Sequence, residues 1–475
     1  MRSKMTKKEV KALADKVCLE RVPAWDRFSA AEAKAAFAFA ETYRRFLDDA
    51  KTERRAAAAI VAELKKNGFE DIRRASARKK KVYRLYHDKA VAAAVIGSGT
   101  VSDGMNLLAA HIDSPRLDLK QNPLYEEVGL ALLKVHYYGG IRKYQWLARP
   151  LALYGRIIKR DGGVVDVALG DNPGDPVFTI ADLLPHLARK LQANKKLTDV
   201  FDGEKLNLLA GSLPTGDEKT SKRFKLTVLR ELFETYGLVE EDFASAELEA
   251  VPAGLSRDVG LDRSLIGAYG QDDRICAYTS LQALLAARQP QQTAVTMFYD
   301  KEEIGSEGNS GAKSRMLEDF TSDLLALTGA ATDERTLRKT LAATRALSAD
   351  VNGALDPDYQ EVHEKNNAAR LGYGICITKF TGSGGKSGSS DASAEYVGRV
   401  RRLFNGAGIA WQTGELGRVD QGGGGTIAKF LAEYGMDIVD CGPALLGMHS
   451  PFEIASKADI YTTYTAYRSF LEASD

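Results

Sequence analysis

The polar residues able to do chemistry in this chain stand where apolar runs stop. Residues 293–299 are rich in β-branched and aromatic types, follow a turn at Pro290, and have the length of one strand; Glu302 and Glu303 come just after, past Asp300-Lys301. Residues 105–111 form a second apolar run that closes on His111, with Asp113 two positions further, so on an extended chain both side chains point the same way. Asp272 precedes a helical pattern, Asp350 ends a short apolar segment, and His449 follows another. Together these positions offer two imidazoles and several carboxylates without a thiolate, a donor set suited to Zn²⁺ or a similar divalent ion. A metal pair about 3.5–4 Å apart that shares one carboxylate serves hydrolases by clamping the attacking and departing oxygens. Such a pair takes five ligands and leaves two of these acids over. Scattered helix caps and solvated acids are the competing reading, and spacing alone does not choose between them. Glu302 and Glu303 need not share a role, because successive residues of an extended chain face opposite ways.

The elements that must position these groups follow a β/α rhythm with one interruption. Ser29 and Glu32 form a capping-box pattern before an alanine-rich helix reaching about Asp49, and Thr52 opens a second that ends near Gly68. Alternation over 79–87 and the apolar run 90–96 predict strands. From 121 to 253 the texture changes to short alternating segments, with a hairpin signal at Asp161-Gly-Gly, helices over 179–193 and 221–236, and a strand over 246–251. This predicts an inserted mixed α+β domain within a catalytic domain formed by 1–120 and 254–475. Its His136 and His186 lack ligand spacing and read as structural. A helix over 275–288 then carries the apolar stripe Ala277, Leu281, Leu284 and Leu285, which makes an N-cap the ordinary role for Asp272 or Asp273. Helices over 312–343 and 457–471 complete an α/β fold, in which ligands gather at the carboxyl ends of the strands.

Composition excludes several function classes. Lys plus Arg (65) almost cancels Asp plus Glu (64), so no net field points to nucleic acid or to a membrane surface. The basic start lacks an apolar segment behind it, which argues against a signal peptide, and no apolar run approaches membrane-spanning length. Cys18, Cys276, Cys376 and Cys441 are widely separated, as expected of buried thiols in a reducing cytoplasm. The glycine cluster at 381–388 fails the phosphate-loop spacing, because Phe380 stands where its first glycine belongs.

Five motifs in order, Ala110-His-Ile-Asp-Ser-Pro, Gln271-Asp-Asp-Arg, Tyr299-Asp-Lys-Glu-Glu-Ile-Gly-Ser, Ser348-Ala-Asp-Val and Gly447-Met-His-Ser-Pro, resemble the aspartyl aminopeptidase family of di-zinc exopeptidases. The resemblance implies a three-layer α/β/α catalytic domain that removes N-terminal residues, acidic ones by preference, from peptides with a free amine. It also implies two Zn²⁺ per subunit, with Mn²⁺ or Co²⁺ compatible with the same donors. Asp272 would bridge, His111 and Asp350 would complete one metal, and Glu303 and His449 the other. Glu302 would be the general base, Asp113 would orient His111, and Lys379 would meet an acidic substrate side chain. The inserted domain would assemble dimers into a dodecamer. One departure is visible: the family's Pro-x-Leu-Ala-x-His pattern reads Pro185-His-Leu-Ala-Arg-Lys190 here, with His186 nearby. Two alternatives stay open at this level, a metal-dependent amidase or deacylase, and a non-catalytic assembly protein.

Overall fold

The structure, a computed structural model, describes residues 5–474. A nine-stranded sheet runs in the spatial order Glu70–Asp71, Lys81–Tyr86, Ala90–Val95, Thr293–Tyr299, Met105–His111, Arg345–Ser348, Asp437–Gly442, Ile375–Thr378 and Trp411–Thr413. Its four central members, 293–299, 105–111, 345–348 and 437–442, are mutually parallel, so their carboxyl ends open on one edge. Strands 105–111 and 293–299 are buried along their whole length because both faces are covered. Leu108, Ala110, Phe298 and Leu347 pack toward a layer built from helices Ala30–Asp49, Glu53–Lys66, Gln271–Ala286, Ala394–Gly406 and Lys457–Glu472. Leu107, Ala109, Met297 and Ala346 point the other way, toward Met316–Leu327, Glu334–Ala343 and Ala428–Ala432. The three-layer α/β/α expectation is therefore met, with side-chain alternation dividing the core in two.

Local signals set several boundaries. Ser29 and Glu32 cap the first long helix reciprocally, with the Ser29 amide donating to Glu32 at 2.8 Å. Gly237 ends Arg223–Tyr236 in the left-handed conformation, φ +68°. The hairpin at Asp161-Gly-Gly joins Leu151–Ile158 to Val164–Leu169. Two expected helices differ. The segment 179–193 is helical only over Pro185–Gln192, and 312–343 divides into two helices around Gly329.

A second sheet, in the order Val164–Leu169, Leu151–Ile158, Glu247–Pro252, Arg116–Glu127, Leu130–Tyr138 and Leu208–Gly211, has its own apolar core around Trp146, Leu153 and Phe243. It begins at Arg116, so residue 121 falls inside a strand. A third sheet was not expected. Arg257–Val259, Leu265–Ala268, Glu453–Ser456, Ala444–Leu446 and Asn352–Gly353 form it, and it borders the carboxyl edge of the first. Among the described residues no helix is long and apolar enough to cross a membrane.

Candidate metal centre

Register brings the first chemical groups level: Tyr299 pairs with His111, and Ser348 with Ala109, so three chains leave the sheet side by side. After Tyr299 the chain does not stay extended. Lys301 turns at φ +68° and Glu302–Ile304 form one 3₁₀ turn, so the expected opposite facing of adjacent strand residues does not apply. The two acids part on a turn instead. Asp113 fixes that turn, accepting from the Glu302 amide at 3.0 Å and the Glu303 amide at 3.1 Å. The same carboxylate lies 3.5 Å from His111 Nδ1, which leaves Nε2 facing Asp350 at 3.6 Å.

The small third sheet supplies the remaining groups. Asp272 lies in the first turn of Gln271–Ala286, directly after Leu265–Ala268; Gly270, not an aspartate, holds the N-cap position. Asp350 precedes Asn352–Gly353. His449 occupies the turn between Ala444–Leu446 and Glu453–Ser456 at φ +64°, a conformation that costs a non-glycine residue about 1–3 kcal/mol. Ligand atoms of His111, Asp272 and Asp350 lie within 4.8 Å of one another, and so do those of Asp272, Glu303 and His449. Asp272 belongs to both groups. His449 Nε2 is 3.1 Å from Asp272 and 3.4 Å from Glu303.

The electrostatics fit a cation there. Burial, reinforced by Asp272, Asp273 and Glu302, holds the Glu303 carboxyl far above its ordinary range, and its Oε1 is buried without a hydrogen-bond partner. Burial also pushes Glu302 up to about 8, with His111 opposing and Asp350, Asp113 and Asp272 adding to it. Burial alone would discharge His449, yet contacts led by Asp272 hold it up at about 10. So many buried acids at one point, two of them aimed at an imidazole nitrogen, match the oxygen and nitrogen donors that zinc takes.

Sequence reading missed one carboxylate here. Glu453 is buried, accepts from the amides of Gln271 and Asp272 at the helix start, and accepts from the His449 amide at 2.7 Å. It thereby replaces the missing N-cap side chain, and nothing local in sequence marks it.

The centre lies at the floor of a cavity of about 500 Å³ that also reaches Glu302. The two glycine clusters pair as short strands, Gly382–Ser383 with Gly423–Gly424, and line its wall. The cations that line it are Lys386, Arg418 and Lys429. Lys379 is outside this lining, exposed, with its amine 2.8 Å from Asp391. His186 and Lys190 are exposed on Pro185–Gln192, and His136 is exposed on Leu130–Tyr138; none of them lines the cavity.

The chain is similar to known proteins over nearly its whole length. Residues 46–471 match the family model described as aminopeptidase I zinc metalloprotease (M18). A probable M18 family aminopeptidase 1 of Thermotoga maritima is 50% identical over 96% of this chain and 99% of its own length. A Clostridium acetobutylicum protein of the same description is 48% identical over 94% and 97%. The crystal structure of an M18 aminopeptidase from Thermotoga maritima superposes with a TM-score of 0.92 at 49% identity, covering 96% of this chain and 99% of that one. The S. cerevisiae mApe1 dodecamer shares the fold at a TM-score of 0.73 and 22% identity, over 91% and 95%. A match spanning the central sheet, the second sheet and the cavity embraces the whole architecture, and this chain belongs to the M18 family of zinc aminopeptidases.

Proposed function

We propose that this metallo-aminopeptidase works with two zinc ions, one held by His111 and Asp350, the other by Glu303 and His449, with Asp272 shared between them. The supporting observation is that the two ligand groups have Asp272 in common. When bound, zinc supplies Lewis-acid polarisation of a carbonyl and acidifies water. Glu302, at the cavity floor, takes the proton of the attacking water and passes it to the departing amine. Asp113 holds His111 and the 302–303 turn in register. Substrates are peptides with a free N-terminus, whose ammonium the acidic floor attracts. An acidic N-terminal side chain would meet Lys386, Arg418 or Lys429 rather than Lys379.

Glu302→Gln keeps the shape of the side chain and removes the proton acceptor. The expected result is two zinc ions per chain by elemental analysis and a fall in hydrolysis of at least about 100-fold. Unchanged turnover removes Glu302 from this role, and a single zinc in the wild type sinks the pair. A panel of aminoacyl substrates tests the acidic preference, which fails if leucyl and aspartyl compounds turn over alike.

The second sheet and its helices form, in this reading, the assembling domain, near the expected 121–253, and the dodecamer of the yeast relative is the form proposed for this chain. Mass measurement in solution decides it, and a monomer at micromolar concentration rejects it.

A further inference from the structure

The second sheet touches the metal centre through three consecutive residues. Tyr138 ends the strand Leu130–Tyr138, and its hydroxyl donates to Asp113 Oδ2 at 2.8 Å. Asp113 is completely buried and is the carboxylate that backs His111 and holds the Glu302 and Glu303 amides. Tyr138 is itself fixed, because the Arg116 guanidinium lies 3.9 Å over its ring. Two residues further, the Gly140 carbonyl is 3.0 Å from His449 Nδ1. A carbonyl only accepts, so Nδ1 donates to it, and Nε2 is the nitrogen turned toward Asp272 and Glu303. Two glycines let the chain approach this closely. Gly139 turns at φ +73° against Pro115, and a β-carbon on Gly140 would stand 3.2 Å from His449 Nδ1.

We propose that Tyr138–Gly140 is a positioning clip by which the second sheet sets the orientation of both imidazoles, one through Asp113 and one directly. The proposal rests on reading the two ligand groups as metal sites. Tyr138 lies outside the cavity lining and acts through Asp113, and Gly140, at the cavity wall, acts through His449. Partners of this kind change metal affinity more than they change the fold, typically by about 10- to 100-fold.

The test is competition between the full-length protein and a zinc chelator, with the melting temperature of the zinc-free protein measured alongside. Tyr138→Phe keeps the ring over Arg116 and loses only the hydroxyl, and Gly140→Ala crowds His449. Tyr137→Phe, on the exposed neighbouring position, is the control. The expected outcome is zinc binding weakened about 10-fold or more in the first two variants, with the zinc-free melting temperature and the control unchanged. Wild-type zinc affinity in Tyr138→Phe overturns the clip. So does a loss of affinity matched by a lowered zinc-free melting temperature, which would assign these residues to general stability. A wild type that binds no zinc refutes the underlying metal reading instead, and is separable from failure of the clip by that measurement alone.

Discussion

Glu453 shows what one carboxylate does at the scale of a residue. Its oxygens accept from two amides of a helix start and from the His449 amide, so it joins the turn that presents His449 to the turn that presents Asp272. Glu453→Gln replaces one accepting oxygen by an NH₂ that faces a donor, leaving a buried N–H unpaired at a cost of about 1–3 kcal/mol. Zinc retained after dialysis against a chelator should fall below wild type, and full retention would contradict this account of the turn. Gly442 makes the same point sterically, since a β-carbon there would lie 2.1 Å from the Asp350 carbonyl. Gly442→Ala must move Asp350, and about one zinc per chain instead of two is the expected content. Four of the five candidate ligands stand out in sequence because each closes or follows an apolar run, as Glu303 does after Tyr299, whereas Asp272 reads there as an ordinary helix start. Glu453, Tyr138 and Gly140 were not legible, because their partners are distant in sequence and their own surroundings read as ordinary turns.

Elements were legible in proportion to their length. Strand 293–299 and the helix opened by Ser29 carry enough residues to show a period, and both occur as expected. The third sheet, which carries most of the centre, uses strands such as Asn352–Gly353 and Ala444–Leu446 that are too short for alternation to register. Helix Gln271–Ala286 starts ahead of the expected 275 because its cap comes from Glu453 on another element. A long-range bond of the reverse kind occurs at the last helix, where buried Asp459 in its first turn accepts from the Gly372 and Gly374 amides of a distant loop at 2.6 Å each. Burial, only partly offset by these bonds, pushes its carboxyl up to about 7 from an ordinary 3.8. The folded state thus keeps a proton that the unfolded chain releases, so the group stabilises most below 3.8. That contribution declines by about 1.4 kcal/mol per pH unit toward 7 and is flat above it. Asp459→Asn removes the decline. The gap in apparent melting temperature should shift in the variant's favour between about pH 4.5 and about pH 7.5, and a constant gap would refute the titration.

At the scale of the molecule, near-neutral composition conceals a concentrated junction of charge. Arg116, buried at the start of the second sheet, reaches Glu53 at 3.4 Å, Glu249 at 3.4 Å and Asp118 at 2.8 Å. Glu53 opens a helix packed on the central sheet and also meets Lys89 at 3.6 Å, so one guanidinium ties the two sheets together. Burial raises both glutamates. Arg116 and Lys89 outweigh it for Glu53, held down to about 2, whereas Glu249 remains well above its ordinary range. Removing the arginine leaves buried acids uncompensated, which costs about 3–5 kcal/mol, whereas removing all the charges together costs little. Arg116→Met should therefore lower the apparent melting temperature steeply, and adding Glu53→Gln and Glu249→Gln should recover most of the loss. Because Arg116 also carries the Tyr138 ring, hydrogen exchange should rise first over 116–138 and later over 437–442. Simultaneous loss of protection in both segments would mean that the junction does not separate the sheets, and that the molecule opens as one cooperative unit.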